Sequence, residues 1–204
     1  MSDERVFVSH APGDRGLVEG VFRSVRNLPL HVHIAGEEVD DGRDRTGLRG
    51  RIDESDAAVA MLTEDGATNQ WVNREVGYAV ARDVPVVPVA PRTELIGGYL
   101  EDRPPVELHD EAIHRTVFEV FSALRRELTP LGGLDTPKWY LPFRCTTDGC
   151  SEPVTLKIDR DQSDLWRLHD HGRTIHADCE ACATRYHFEP ATLGLIRREE
   201  TGSE

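Results

Sequence analysis

The spacing of hydrophobic positions changes repeatedly along the chain, and each change marks an element. Short runs bounded by turn residues occur at Arg5-Val6-Phe7-Val8-Ser9, at Ala57-Ala58-Val59-Ala60-Met61-Leu62 and at Val84-Pro85-Val86-Val87-Pro88-Val89. They predict strands of a parallel sheet, buried on both faces. Leu30-His31-Val32-His33-Ile34 alternates and predicts a further strand. Helical spacing fills the gaps. Asp14 follows the turn His10-Ala11-Pro12-Gly13 and is placed to cap a helix carrying Leu17, Val21, Val25 and Leu28 near one face. A short helix is expected over 45–54 and a central helix over 69–82. Ile113, Val117, Phe121, Leu124 and Leu128 form the apolar stripe of a long amphipathic helix. Strands alternating with helices predict an α/β fold, a parallel sheet with helices on both faces, over residues 1–128.

Glycine and proline make 129–138 a linker, and the pattern then changes. Strands are expected at 139–143, 154–158 and 185–188, within a small β-rich module spanning 139–196, followed by a flexible tail at 197–204. All of the chain's four cysteines lie in this module. Cys145 and Cys150 form one pair and Cys179 and Cys182 the other, each spaced to make a chelating turn, and together they supply a tetrahedral set of thiolates. The spacing resembles a zinc ribbon, with structural Zn2+ replacing the apolar core that so small a module lacks. A redox pair, disulfides and simple thiols are the alternatives. A closed set of cysteines leaves no open coordination position, so the metal would be structural. His176 and His187 are candidates to support or replace a ligand.

Composition narrows the function classes. The chain has 204 residues and a net charge of −13, and its only lysines are Lys138 and Lys157. An acidic surface opposes non-specific binding to nucleic acid or anionic membrane. The module itself carries Glu152, Asp159, Asp161, Asp164, Asp170, Asp178 and Glu180, so a protein partner or pure stabilisation suits it better than phosphate binding. The acidic, lysine-poor balance resembles that of proteins from salt-accumulating microbes. No stretch is apolar enough for a signal peptide or a membrane span, and a soluble, cytoplasmic protein is expected.

The candidate chemistry centres on Gln70-Trp71-Val72-Asn73-Arg74-Glu75-Val76-Gly77-Tyr78-Ala79. Trp71 and Glu75 are one helical turn apart and share a face. A glutamate there serves either a ligand cleft or the solvated helix surface, where it would make few core contacts.

Three stretches make the first region resemble a TIR domain. They are Val6-Phe7-Val8-Ser9-His10 followed by Asp14, Ile52-Asp53-Glu54-Ser55-Asp56 leading into the third strand, and Trp71-Val72-Asn73-Arg74-Glu75. The resemblance implies a flavodoxin-like sheet. It also implies either of two functions: self-association as a signalling scaffold, or cleavage of NAD+ at the nicotinamide–ribose bond to ADP-ribose or a cyclic derivative. Prokaryotic members of the family imply a role in antiviral defence. By resemblance, Glu75 takes the catalytic role, while Ser9 and His10 after the first strand help form the nucleotide cleft. The loop 36–44 gates the cleft and mediates self-association. Trp71 is expected to stack on nicotinamide or wall the pocket, and Arg43, with Arg45, Arg49 and Arg51, to meet a pyrophosphate or to form a salt-bridged surface. Nicotinamide leaves from a pyridinium and needs no proton donor, so one carboxylate suffices. It acts as a charge beside the ribosyl cation or as a nucleophile forming a ribosyl ester. The leading expectation is NAD+ glycohydrolase; the alternatives are a non-catalytic scaffold and a nucleic-acid sensor working through the ribbon.

Overall fold

The computed structural model describes residues 4–23, 30–35, 46–128 and 138–200. Residues 4–23, 30–35 and 46–128 fall in one compact unit, and 138–200 fall in a second. The expected loop over 36–44, with Arg43, therefore lies outside the described residues, as do Arg45 and 129–137 of the expected linker.

The first unit runs β1 Glu4–Ser9, α1 Arg15–Phe22, β2 Leu30–Ile34, α2 Thr46–Asp53, β3 Ala57–Met61, α3 Glu64–Thr68, α4 Gln70–Ala81, β4 Val86–Ala90, β5 Val106–Glu107 and α5 Ile113–Glu127. Its five strands pair in the order β2-β1-β3-β4-β5, every pair parallel. This is the doubly wound, flavodoxin-like order, with the direction of winding reversing between β1 and β3. Every residue of β3 and β4 is buried, which is why the two strands read as uninterrupted apolar runs.

Alternation along the strands sorts the core. Phe7, Ala58 and Ala60 cluster with Leu48 and Ile52 of α2 and with Val72, Val76 and Ala79 of α4. Val6, Val8, Ala57, Val59 and Met61, equally buried, point to the opposite face. There α1 and α5 pack on one another, through stripes that include Val18 and Val21 of one and Val117, Phe121 and Leu124 of the other.

Three local expectations are revised. The stripe of α1 is Val18, Val21 and Phe22, with Leu17 only half-buried, and Val25 and Leu28 lie outside the described residues. Asp14 does not cap α1 with its side chain. A 3-10 turn at Pro12–Asp14 runs straight into the helix, so Asp14 already has helical dihedrals, and its carboxylate instead accepts a 2.8 Å hydrogen bond from Thr63. The helical segment after β3 is longer than expected and broken. Thr63 caps α3, and Asn69 then caps α4 by accepting from the amides of Trp71 at 2.9 Å and Val72 at 3.3 Å. The short edge strand β5 has too few residues to show a period.

The second unit contains β6 Trp139–Arg144, β7 Pro153–Ile158, α6 Gln162–Asp170, β8 Ile175–Asp178, β9 Arg185–Phe188 and β10 Leu195–Glu199. β6 and β7 form an antiparallel pair, and β10-β9-β8 form an antiparallel three-stranded sheet. Its core gathers Trp139, Leu156, Ile158, Leu165, Tyr186 and Phe188. The start of the flexible tail expected over 197–204 is corrected, because the chain remains a strand through Glu199, and 201–204 lie outside the described residues. β10 is exposed along its whole length, so no hydrophobic alternation announces it. It is held by backbone pairing to β9 and by polar contacts, among them Glu199 at 3.2 Å from the His187 ring.

Candidate functional site

Strand alternation places Ser9, the last residue of β1, on the same face as Phe7, toward α4. On α4 the buried positions are Val72, Glu75, Val76 and Ala79, a single helical stripe with a carboxylate in it. The two meet: the Ser9 hydroxyl donates a 2.6 Å hydrogen bond to Glu75 Oε2. Glu75 is only 8% exposed and Ser9 only 2%. The surface reading of Glu75 is therefore corrected. Its spacing from Val72, Val76 and Ala79 puts it on the inward face, and Trp71, four residues earlier, sits at that face's outer border with 39% exposure.

A cleft of about 430 Å³ is lined by residues close in the chain to both members of this pair. Ala11, Pro12 and Gly13, from the loop after β1, form one wall. Asp65, Thr68, Asn69, Gln70 and Trp71, from α3 and the start of α4, form the other. The cleft thus lies beyond the carboxyl ends of β1 and β3, where the winding of the sheet reverses and where open α/β sheets bind ligands. Glu75 is not itself a wall residue. It stands one turn along α4 from Trp71, while its partner Ser9 lies two residues before Ala11 in the chain. Trp71 is stacked under Arg74, whose guanidinium carbon is 4.9 Å from the ring centre. Asp65 approaches Gly13 so closely that a Cβ on Gly13 would lie 3.3 Å from its carboxylate oxygen.

The remaining expected residues divide. His10 turns its Nδ1 onto the Ala11 carbonyl at 2.7 Å, which fixes the loop, and it is not among the cleft walls. Arg49 lies 5.8 Å from the centre of the Tyr78 ring, beside an Asp53–Tyr78–Arg82 network in which Tyr78 and Arg82 both donate to the Asp53 carboxylate. Arg51 lines a different groove of about 360 Å³, with Arg5, His31 and His33. The structure therefore brings Ser9 and Glu75 together, puts Trp71 on the cleft wall, and leaves Arg49 and Arg51 away from that wall. Gly13, Asp65 and Thr68 were not singled out from sequence, because a loop residue and a helix as short as α3 carry no periodic signal.

In the second unit the sulfur atoms of Cys145, Cys150, Cys179 and Cys182 all lie within 4.8 Å of one another. Cys145 and Cys182 are 3.5 Å apart, and Cys150 and Cys179 are 3.8 Å apart. These separations are far beyond a disulfide bond of about 2.05 Å, and all four are free cysteines. They match the edge of about 3.8 Å of a tetrahedron whose metal–sulfur bonds are about 2.3 Å, so the donor set fits zinc. The turns at 145–150 and 179–182 supply the cysteines in pairs. Amides of Cys145 and Cys179 are tied to the carbonyls of Glu152 and Thr184. Hydrogen bonds from Tyr186 and Thr147 bring the Cys145 thiol down to about 6. The Glu152 amide acts the same way on Cys150, but burial and the neighbouring cysteines outweigh it and push that thiol up to about 12. His187 bonds Thr174 at 3.0 Å and faces Glu199, and neither His176 nor His187 belongs to the cysteine cluster. With four protein ligands the metal would have no open position, and its chemistry would be to hold the two turns together.

A model of the TIR domain family matches residues 6–119. No curated protein matches the chain. Among solved structures, the TIR domain of the Toll-related receptor TRR-2 from Hydra magnipapillata shares 16% identity at a TM-score of 0.48, over 59% of this chain and 97% of that one. The TIR domains of the activated Roq1 resistosome, a structure described as directly recognizing the pathogen effector XopQ, share 18% identity at a TM-score of 0.38, over 57% and 81%. A 2-desoxiribosyltransferase from Leishmania mexicana shares 15% identity at a TM-score of 0.38, over 44% of this chain, and the chain spans 65% of that enzyme's length.

Proposed function

This chain belongs to the TIR domain family, and on that premise we propose that its first unit is an NAD+ glycohydrolase with Glu75 as the catalytic carboxylate. The observation that carries the proposal is a carboxylate buried to 8% exposure and hydrogen-bonded to Ser9, one helical turn from Trp71, which lines a cleft at the carboxyl ends of β1 and β3. A buried acid in the core stripe of a helix is costly to retain for structure alone. A site of that kind is a candidate for chemistry.

In the proposed reaction the bond between ribose C1′ and the nicotinamide nitrogen breaks. Its electron pair neutralises the pyridinium, and the developing ribosyl cation is stabilised by the negative charge of Glu75. Water adds at C1′ and loses its proton to solvent, giving ADP-ribose; attack by an atom of the adenine base instead gives a cyclic product. Ser9 is here reassigned from contacting the nucleotide to holding Glu75. Trp71 offers an aromatic wall for the base or the nicotinamide. Self-association through this unit and a role in antiviral defence belong to the same proposal and rest on the family resemblance. Among the described residues no helix is long and apolar enough to cross a membrane.

The test is nicotinamide release by wild type and Glu75→Gln at high protein concentration and high salt, with both proteins shown to be folded and equally associated. The substitution keeps shape and removes charge, so release should fall by about a hundredfold or more. Equal release would remove Glu75 from the mechanism, and no release from either under any salt or assembly condition would favour a scaffold.

A further inference from the structure

We propose that Tyr186 is a positioning residue of the metal site and that it ties the site to the last strand, β10, through Arg198. The proposal rests on the assignment of the cysteines as a zinc site. It is drawn from a continuous line of donors. Arg198 Nη1 donates to the Thr146 carbonyl at 2.5 Å and lies 3.2 Å from the Thr146 hydroxyl. The Thr146 amide donates to the Tyr186 phenolic oxygen at 2.7 Å. The Tyr186 hydroxyl donates to Cys145 Sγ at 3.1 Å. The unbroken route runs through the Thr146 hydroxyl, 3.2 Å from Arg198 Nη1 and 3.3 Å from the Tyr186 hydroxyl, while the carbonyl and amide of Thr146, which belong to successive peptide groups, hold Arg198 and Tyr186 separately.

Charge explains why such a line matters. Four thiolates around one divalent cation carry a net charge of about −2, which a buried site must disperse. Cys145 is 5% exposed and Tyr186 1%, so water does not do it there. Hydrogen bonds to an ionised sulfur are stronger than neutral ones, and a chain of donors ending on a cation is polarised in the same direction. The Tyr186 ring is held for this task by edge-on contact with Phe143, the ring centres 5.0 Å apart. A second hydroxyl acts on the neighbouring ligand: Thr184 lies 3.2 Å from Cys182 Sγ and 2.8 Å from the Thr147 hydroxyl.

The same line explains the retention of β10. Leu195 and Ile196 are 55% and 54% exposed, so the strand brings little apolar burial. Arg198 anchors it instead to the loop between Cys145 and Cys150, whose shape the metal sets.

The experiment is competition for zinc between a chelator and the full chain, comparing wild type, Tyr186→Phe, Arg198→Ala and the double variant. Tyr186→Phe keeps the ring and removes one oxygen. It should weaken zinc binding by about 10- to 100-fold, the usual effect of losing a partner of a metal ligand. Arg198→Ala should weaken it by a smaller factor, and the double variant should bind no more weakly than Tyr186→Phe alone, because the effect of Arg198 passes through the phenol. Wild type that holds no zinc would sink the metal assignment itself. Zinc-loaded wild type with unchanged affinity in Tyr186→Phe would overturn the role of Tyr186. Full additivity of the two losses would overturn the tie to β10. Arg198 is exposed, so unchanged affinity in Arg198→Ala overturns that tie even where Tyr186→Phe fails to fold.

Discussion

The Ser9–Glu75 hydrogen bond joins a hydroxyl and a carboxylate at the side of an apolar core cluster that includes Phe7, Val72, Val76 and Ala79. Ser9→Ala should cost about 1–2 kcal/mol in urea denaturation, because the buried carboxylate loses a donor. Nicotinamide release should fall as well, but by less than in Glu75→Gln, since the charge remains. Glu75→Gln itself should now lower stability measurably, which a surface glutamate would not do. Glu189 behaves differently. Burial pushes its carboxyl up, but the amides of Ala191 and Thr192 and the His169 ring together hold it below the usual range. Its oxygens accept from the Thr192 amide at 2.6 Å and lie 2.5 Å from His169 Nδ1. A depressed carboxyl stabilises the fold above its unfolded pKa of about 4.3 and loses that effect as pH falls through the lower folded value. Glu189→Gln should therefore be less stable than wild type by about 1 kcal/mol at neutral pH. The difference should shrink once the pH falls below about 4.3 and vanish only below the depressed folded pKa, in chemical denaturation followed at a series of pH values.

The elements that shape the cleft are the two short helices after β3. α3 begins at the cap Thr63 and must turn back beneath Met61: a Cβ on Gly66 would sit 2.1 Å from the Met61 carbonyl oxygen. The obstacle is backbone, which cannot move aside as a flexible side chain would. Gly66→Ala should destabilise the first unit by about 2–3 kcal/mol, within the range for overpacking. Asn69→Ala should cost about 1 kcal/mol, the usual loss of an N-cap. Thermal denaturation of the two variants orders the effects, and a Gly66→Ala protein as stable as wild type would refute the close approach. Asn69 is also a wall of the cleft, so its loss should raise KM more than Gly66→Ala does at equal folding.

The whole chain carries a net charge of −13 on two compact units. Self-repulsion of that size is relieved by salt, so the melting temperature should rise between low and molar salt. The units differ in what holds them. The first buries two apolar faces of a sheet, while the second is small and carries a cluster of cysteines that fits a metal. Chelation of zinc, or Cys179→Ser, should abolish the near-ultraviolet signal of Trp139 and Trp166 while helical circular dichroism from the first unit persists. Simultaneous loss of both signals would show that the units do not fold independently.

Two levels of information separate in this molecule. Parallel strands buried on both faces, the start of α4 and the cysteine pairs were legible in order along the chain, because period and spacing are local properties. The helix α3, the strand β5 and the strand β10 were not, since they are short or wholly exposed and exist through capping, edge pairing and contacts to distant groups. The site was legible in part. Glu75 could be picked out through the family resemblance of Trp71-Val72-Asn73-Arg74-Glu75, yet its burial depended on its falling in register with Val72, Val76 and Ala79 and facing the side of β1 that carries Ser9. Likewise the sequence pointed to four thiolates, and only the tertiary structure brought Tyr186, Thr146 and Arg198 into line behind one of them. The sequence by itself determined which segments are helix, strand or chelating turn wherever neighbours within a few residues decide the matter. Only the fold decided which polar groups are buried together, because that depends on residues 66 positions apart in one case and 52 in another.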